Sequence, residues 1–399
     1  MKLGLTLLAL AGLAQPGAPA AVDGPEAQTR RCTRQAVGSA AIAMRSERSE
    51  LMAIPLEEDE TSVPPSTGRR IEALKDRLRD FVGKMMDCAP SAVEPAALAA
   101  AMAQRGGVSD AASANSSSPG PDRHGGLVAF EASRVEAQPD MLAVVATVGI
   151  KCGSDSMLML YRLEDRRWRE VMVRRSEPYS EVKGGWGDLR FAVSPKDSTG
   201  GWFVATVSTT PWCTSAWQGM PYELARPGPA PDRPKVVFRG RNTIYLGDES
   251  DLVLKAEPGA FEIRSDGSSL DPEILIRRHV RRYSVSGDSV RRIQPVAESV
   301  RDFADEWISS PWAEAKDWSG RDPALAAAHK ALQAARLETL RGFDSVRGCS
   351  GGSTEVQLDE RSGPNWFLLV RGGPDGPWTL ERAARWPSKG CIGPDGLAR

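Results

Sequence analysis

A chain of 399 residues with 41% hydrophobic content carries enough apolar material for two or three ordinary cores, which excludes a disordered or collagen-like polypeptide. Its 51 Lys and Arg balance 52 Asp and Glu, so no global field recruits nucleic acid or an anionic membrane.

The N-terminus reads as an export signal over residues 1–20. Lys2 supplies the positive start, Leu3 to Leu13 is an apolar run too short to span a bilayer, and Pro16 and Gly17 break it. Ala18-Pro19-Ala20 then places small residues where a signal peptidase reads. No later stretch approaches the roughly 20 apolar residues of a membrane helix, so the mature protein is expected to be soluble, in the periplasm or secreted. Six cysteines agree with an oxidising address: Cys32 and Cys88, Cys152 and Cys213, Cys349 and Cys391. Three sequential local disulfides are the simplest pairing. The cysteines lack the close spacing, and the nearby histidine, of a metal site, and no cofactor fingerprint follows a strand.

Residues 25–106 read as helical. Ile71, Leu74, Leu78, Phe81, Val82 and Met85 recur at three- and four-residue spacing, and residues 90–104 are Ala-rich. Glu57 to Gly68 reads as a solvated loop and 107–126 as a flexible linker containing His124.

Residues 127–295 contain an internal repeat. A shift of 61 residues gives eight identities in 38 gap-free positions, among them Phe130/Phe191, Cys152/Cys213, Met159/Met220 and Tyr161/Tyr222, and Tyr283 lies one further step on. The units fall at about 127–187, 188–241 and 242–295. In the first, strands are expected near 127–132, 141–148, 157–163 and 167–174, and in the third near 252–254, 261–264 and 273–280. Four short antiparallel strands per unit resemble a β-propeller blade. Ser194 to Trp202 is similar to the Asp-box turn of sialidase-type propellers, with its Asp and Gly displaced, and bears on fold alone.

Residues 298–399 read as a small α+β domain. Helices are expected over Asp302 to Ile308 and Ala324 to Leu340, and strands at 354–359, 366–371 and 377–382. An NTF2-like cone is one fold compatible with that order. The fold class is therefore α+β and multi-domain: a helical N-terminal region, a β-repeat middle and an α+β end.

Two constellations qualify as candidate sites. Alternation along Arg277-Arg278-His279-Val280-Arg281-Arg282-Tyr283 puts Arg277, His279, Arg281 and Tyr283 on one strand face, suited to an anion. The plainer reading is a solvated outer face balanced by Asp248, Glu249 and Asp251. Trp186, Trp212 and Trp217 crowd around the second repeat and suit a sugar ring, although large aromatics also fill cores. His329 reads as a packed helical residue, and Cys349 beside Ser350 as a disulfide partner rather than part of a serine-nucleophile loop. No acid, base and nucleophile set converges. The expectation is a non-enzymatic exported binding or cell-envelope protein, with an envelope glycan or another envelope protein as partner. The alternatives are a glycan hydrolase with paired carboxylates and a structural protein acting through its C-terminal domain.

Overall fold

The computed structural model describes residues 32–55, 63–108, 123–180, 185–212, 215–247, 252–271, 274–336, 339–361, 363–373 and 376–391. The expected signal segment, Cys213 and the acids at 248, 249 and 251 lie outside these residues. The N-terminal helices are α1 (Arg34–Met52), α2 (Pro65–Cys88) and α3 (Pro95–Gly106). Thr33 caps α1 by accepting the Ala36 N–H, and Pro65 opens α2, where a missing N–H costs nothing. Because α2 begins at Pro65, Gly68 lies inside a helix and not in the loop expected for it. The apolar stripe of α2 is fully buried, as its periodicity requires.

Four antiparallel meanders follow. The first sheet is β1 (Val128–Arg134), β2 (Met141–Ile150), β3 (Gly153–Glu164) and β4 (Arg167–Arg175), close to the strands expected from sequence. The second is β5 (Leu189–Val193), β6 (Val204–Ser208), β7 (Thr210–Trp212), β8 (Ser215–Arg226) and β9 (Lys235–Tyr245). β6 and β7 are one line interrupted at Thr209, since both pair with β8 in continuous register, Val207 with Tyr222 and Thr210 with Gly219. The third is β10 (Val253–Glu257), β11 (Ala260–Ser268), β12 (Ile276–Ser286) and β13 (Ser289–Ile293). The last, β14 (Leu340–Gly348), β15 (Ser353–Glu360), β16 (Trp366–Arg371) and β17 (Thr379–Ala384), follows helices α4 (Val300–Ser309), α5 (Trp312–Ala315) and α6 (Ala324–Arg336). α6 stops four residues before the helix end expected at Leu340, which instead opens a strand absent from the sequence reading.

The layers stack through alternating side chains. Leu142, Val144, Ala146 and Val148 of β2 face the helices, while Met141 and Ala143 face the second sheet with Val204 and Trp202. Burial on both faces explains the nearly unbroken apolar run of β2. The second and third sheets share Phe203, Val207, Phe261, Ile263 and Tyr283. α4 packs against both β12 and the fourth sheet, whose core holds Trp307, Trp318 and Trp378. The four-stranded units are present, but they form no closed ring of sheets among the described residues.

Tyr161, Tyr222 and Tyr283 each occupy the third line of their sheet, yet the repeat is not a simple translation. Tyr161 pairs with Leu142, whereas Tyr222 pairs with Val207 and not with Phe203, the residue aligned to Leu142. The break at Thr209 and the register shift between Thr210 and Trp212 lie in that hairpin. In consequence Tyr161 faces the helices, while Tyr222 and Tyr283 face each other.

Disulfides join Cys32 to Cys88 and Cys349 to Cys391, as sequential pairing requires. Cys152 is also disulfide-bonded. No helix among the described residues is long and apolar enough to cross a membrane. Between β5 and β6, Asp197 Oδ1 accepts the Thr199 N–H at 2.9 Å, the Thr199 hydroxyl at 2.6 Å and the Gly201 N–H at 2.9 Å. This carboxylate-closed turn sits where the Asp-box likeness falls.

Candidate functional site

Alternation on β12 does put Arg277, His279, Arg281 and Tyr283 on one face, but that face is buried and not solvated: the four are 6%, 8%, 7% and 6% exposed. A charged pattern mimics an outer face here because its counter-ions come from α4. Arg277 Nη2 donates to Glu306 Oε2 at 2.7 Å and to Asp305 Oδ1 at 3.2 Å. Arg292 of β13 donates from Nη2 to Glu306 Oε1 at 2.6 Å and from Nη1 to Glu314 Oε2 at 3.1 Å. Burial works to raise the Glu306 carboxyl, but Arg292, His279 and Arg277 outweigh it and hold the group well below the usual carboxylate range. Ser299 caps α4 by accepting the Asp302 N–H, which fixes the helix that carries Asp305 and Glu306.

His279 lies between two acceptors, Glu306 Oε2 at 3.2 Å from Nδ1 and the Ser268 carbonyl at 3.1 Å from Nε2. Burial lowers its pKa, and the nearby Arg277 and Arg281 add to that, against the pull of Glu306. Gly267 makes room for the ring, since a Cβ there would stand 2.8 Å from His279 Cδ2. The Tyr222 and Tyr283 hydroxyls meet at 2.8 Å, and Asn242 Nδ2 donates to Tyr222 at 3.1 Å. Burial raises the Tyr283 pKa far above the phenol range, so it stays a protonated donor.

His279, Arg281, Tyr283 and Arg292 from the third sheet, Tyr222 and Asn242 from the second, and Glu306 and Ser309 from α4 line one polar cavity of about 310 Å³. Arg277 is not in its wall. The predicted face therefore divides: three residues reach the cavity, and Arg277 ties sheet to helix.

The tryptophans are placed differently. Trp186 is buried and lines a separate cavity of about 270 Å³ between the first two sheets, with Arg174, Glu223 and the other side of Tyr222. Burial, with Arg239 nearby, lowers the Arg174 pKa to about 10, and Arg174 pairs with Glu223. Trp217 stands edge-on to Tyr245 at 5.3 Å. The Trp212 side chain lies outside the described residues.

Sequence reading missed a second buried polar cluster. Lys75 of α2 donates to Asp155 of β3 at 3.0 Å and to Ser176 at 2.9 Å, and Tyr179 donates to Asp155 at 2.7 Å. Lys75 and Asp155 are both 0% exposed. Periodicity places Lys75 next to the apolar stripe of α2, which is the one signal that marked it. His124, assigned to a flexible linker, is in fact buried, and its Nδ1 accepts the Lys151 N–H at 3.3 Å. His329 is a packed residue as expected, with Nε2 against the Trp307 and Ser310 carbonyls at 3.0 and 3.1 Å. No group of three or more possible metal ligands occurs among the described residues. A scan against protein-family models and a search of curated proteins found no match to this chain.

Proposed function

We propose that this is an exported, non-catalytic binding protein that holds a small polar ligand between its second sheet, third sheet and α4. The observation that carries the reading is convergence: donors from four separate strands and a helix meet in one cavity, of the size small-molecule sites have. The disulfides suit an oxidising workplace. A glycan hydrolase would need a carboxylic acid with a raised pKa in the cavity. The two acids in its wall, Glu306 and Glu314, are instead ion-paired to Arg292.

Native mass spectrometry of the mature protein after incubation with an envelope small-glycan and metabolite extract tests the reading. The wild type is expected to carry a bound species of defined mass that is lost in Ser309→Trp, which fills the cavity. Identical spectra from the two proteins would reject it.

A further inference from the structure

We infer that the cavity recognises the carboxylate of a small polar organic acid, gripped by the Arg281 guanidinium and by a hydroxyl of the Tyr222–Tyr283 pair; this rests on reading the cavity as a ligand site. The acids nearby are already engaged. Asp305 and Glu306 hold Arg277, and Glu306 with Glu314 holds Arg292. The Arg281 residue is 7% exposed; among the described residues its side chain makes a single hydrogen bond, to the Ser265 hydroxyl at 3.2 Å, and has no carboxylate within 4 Å. Burial disfavours this guanidinium, and the Glu306 carboxylate that offsets part of the cost acts from beyond salt-bridge reach while paired to Arg277 and Arg292, so an anion in the cavity would complete it.

The tyrosine pair supplies a second, independent sign. Two phenols carry two hydroxyl protons, and their mutual bond uses one. If Tyr222 donates to Tyr283, the Tyr283 proton is left over. If Tyr283 donates, Tyr222 already accepts from it and from Asn242, and its own proton is left over. Either way one O–H faces no acceptor among the described residues. Arg281 and Tyr283 are neighbours on one face of β12, about 7 Å apart along the strand. Both line the cavity.

Charge selects the class of anion. The lining holds Arg281, Arg292 and Arg336 against Glu306 and Glu314, one positive charge in surplus with His279 neutral. One surplus charge matches a carboxylate monoanion better than a phosphate dianion, and the guanidinium fork can grip a carboxylate through two N–H groups. The rest of the wall is polar, which suits a hydroxylated remainder such as a sugar acid.

Titration calorimetry of the mature protein with D-glucuronate, acetate, inorganic phosphate and D-glucose tests this. Glucuronate is expected to bind one to one, at least tenfold more tightly than glucose or phosphate. Arg281→Met should weaken it at least tenfold, and the Tyr222→Phe/Tyr283→Phe double variant about three- to tenfold. Glucose binding as tightly as glucuronate would overturn the carboxylate assignment while leaving the cavity a ligand site. Phosphate binding with the carboxylates silent would replace carboxylate by phosphate. Glucuronate binding unchanged in a folded Arg281→Met, or no titration by any of the four, would overturn the inference. Loss of the cavity reading itself is read separately, from the Ser309→Trp spectra.

Discussion

At the scale of single residues, the molecule uses buried charge in two ways. Lys75 and Asp155 are a mutually satisfied pair, each with further hydroxyl partners, and they pin α2 to the first sheet. Removing Lys75 leaves the Asp155 carboxylate buried with only the Ser176 and Tyr179 hydroxyls. Lys75→Met should cost about 3–5 kcal/mol in urea unfolding, with much of that recovered in Lys75→Met/Asp155→Leu. A cost under about 1 kcal/mol for the single variant would show that the pair is not structural. The histidines set the pH response. Burial lowers the pKa of His124, His279 and His329 below the unfolded value. Such groups are neutral when folded, so the unfolded chain binds protons first as pH falls. Their contribution is complete above about 6.5 and is lost below it. Urea midpoints should therefore fall between pH 7.5 and 5.5, and a midpoint that rises would contradict the assignment.

At the scale of elements, the site depends on where glycine lets a strand approach an aromatic ring. Gly240 of β9 pairs with Tyr222, and a Cβ there would stand 2.2 Å from the ring. Gly240→Ala should displace Tyr222, break its bond to Tyr283 and weaken cavity binding with little change in the far-ultraviolet circular dichroism spectrum. Unchanged binding would remove Tyr222 from the site. The Cys32–Cys88 bond closes α1 onto the end of α2 across a sequence separation of 56. Its loss by double Ser substitution should lower stability by about 4 kcal/mol in the chain-entropy account, read by urea unfolding. The elements themselves were largely legible. The stripe from Ile71 to Met85 and the alternation of β12 are short-range patterns, which survive in one dimension, and the two disulfides follow the order of the cysteines along the chain. β14 was not, because Leu340 continues the apolar spacing of α6 and nothing in that spacing marks the change of period.

At the scale of the whole molecule, helices, three stacked sheets and a helix-backed fourth sheet each supply one wall to their neighbour. This is why the candidate site was only half legible. The strand face was visible in Arg277 to Tyr283, but its partners stand 27 to 29 residues away on α4 and 61 away on β8. Without them, alternating charge reads as a wet surface, and the division of labour between Arg277 and Arg281 cannot be seen. That division is the centre of the account, and it has a direct thermal test on the unliganded protein. Arg277→Met takes the cation from buried Asp305 and leaves Glu306 with Arg292 alone, and should lower the melting temperature sharply, by an amount corresponding to about 3–5 kcal/mol. Arg281→Met removes a buried charge that has no carboxylate of the described residues within 4 Å and should melt at or above the wild type. A fall in Arg281→Met as deep as that in Arg277→Met would contradict the claim that Arg281 is held for a ligand.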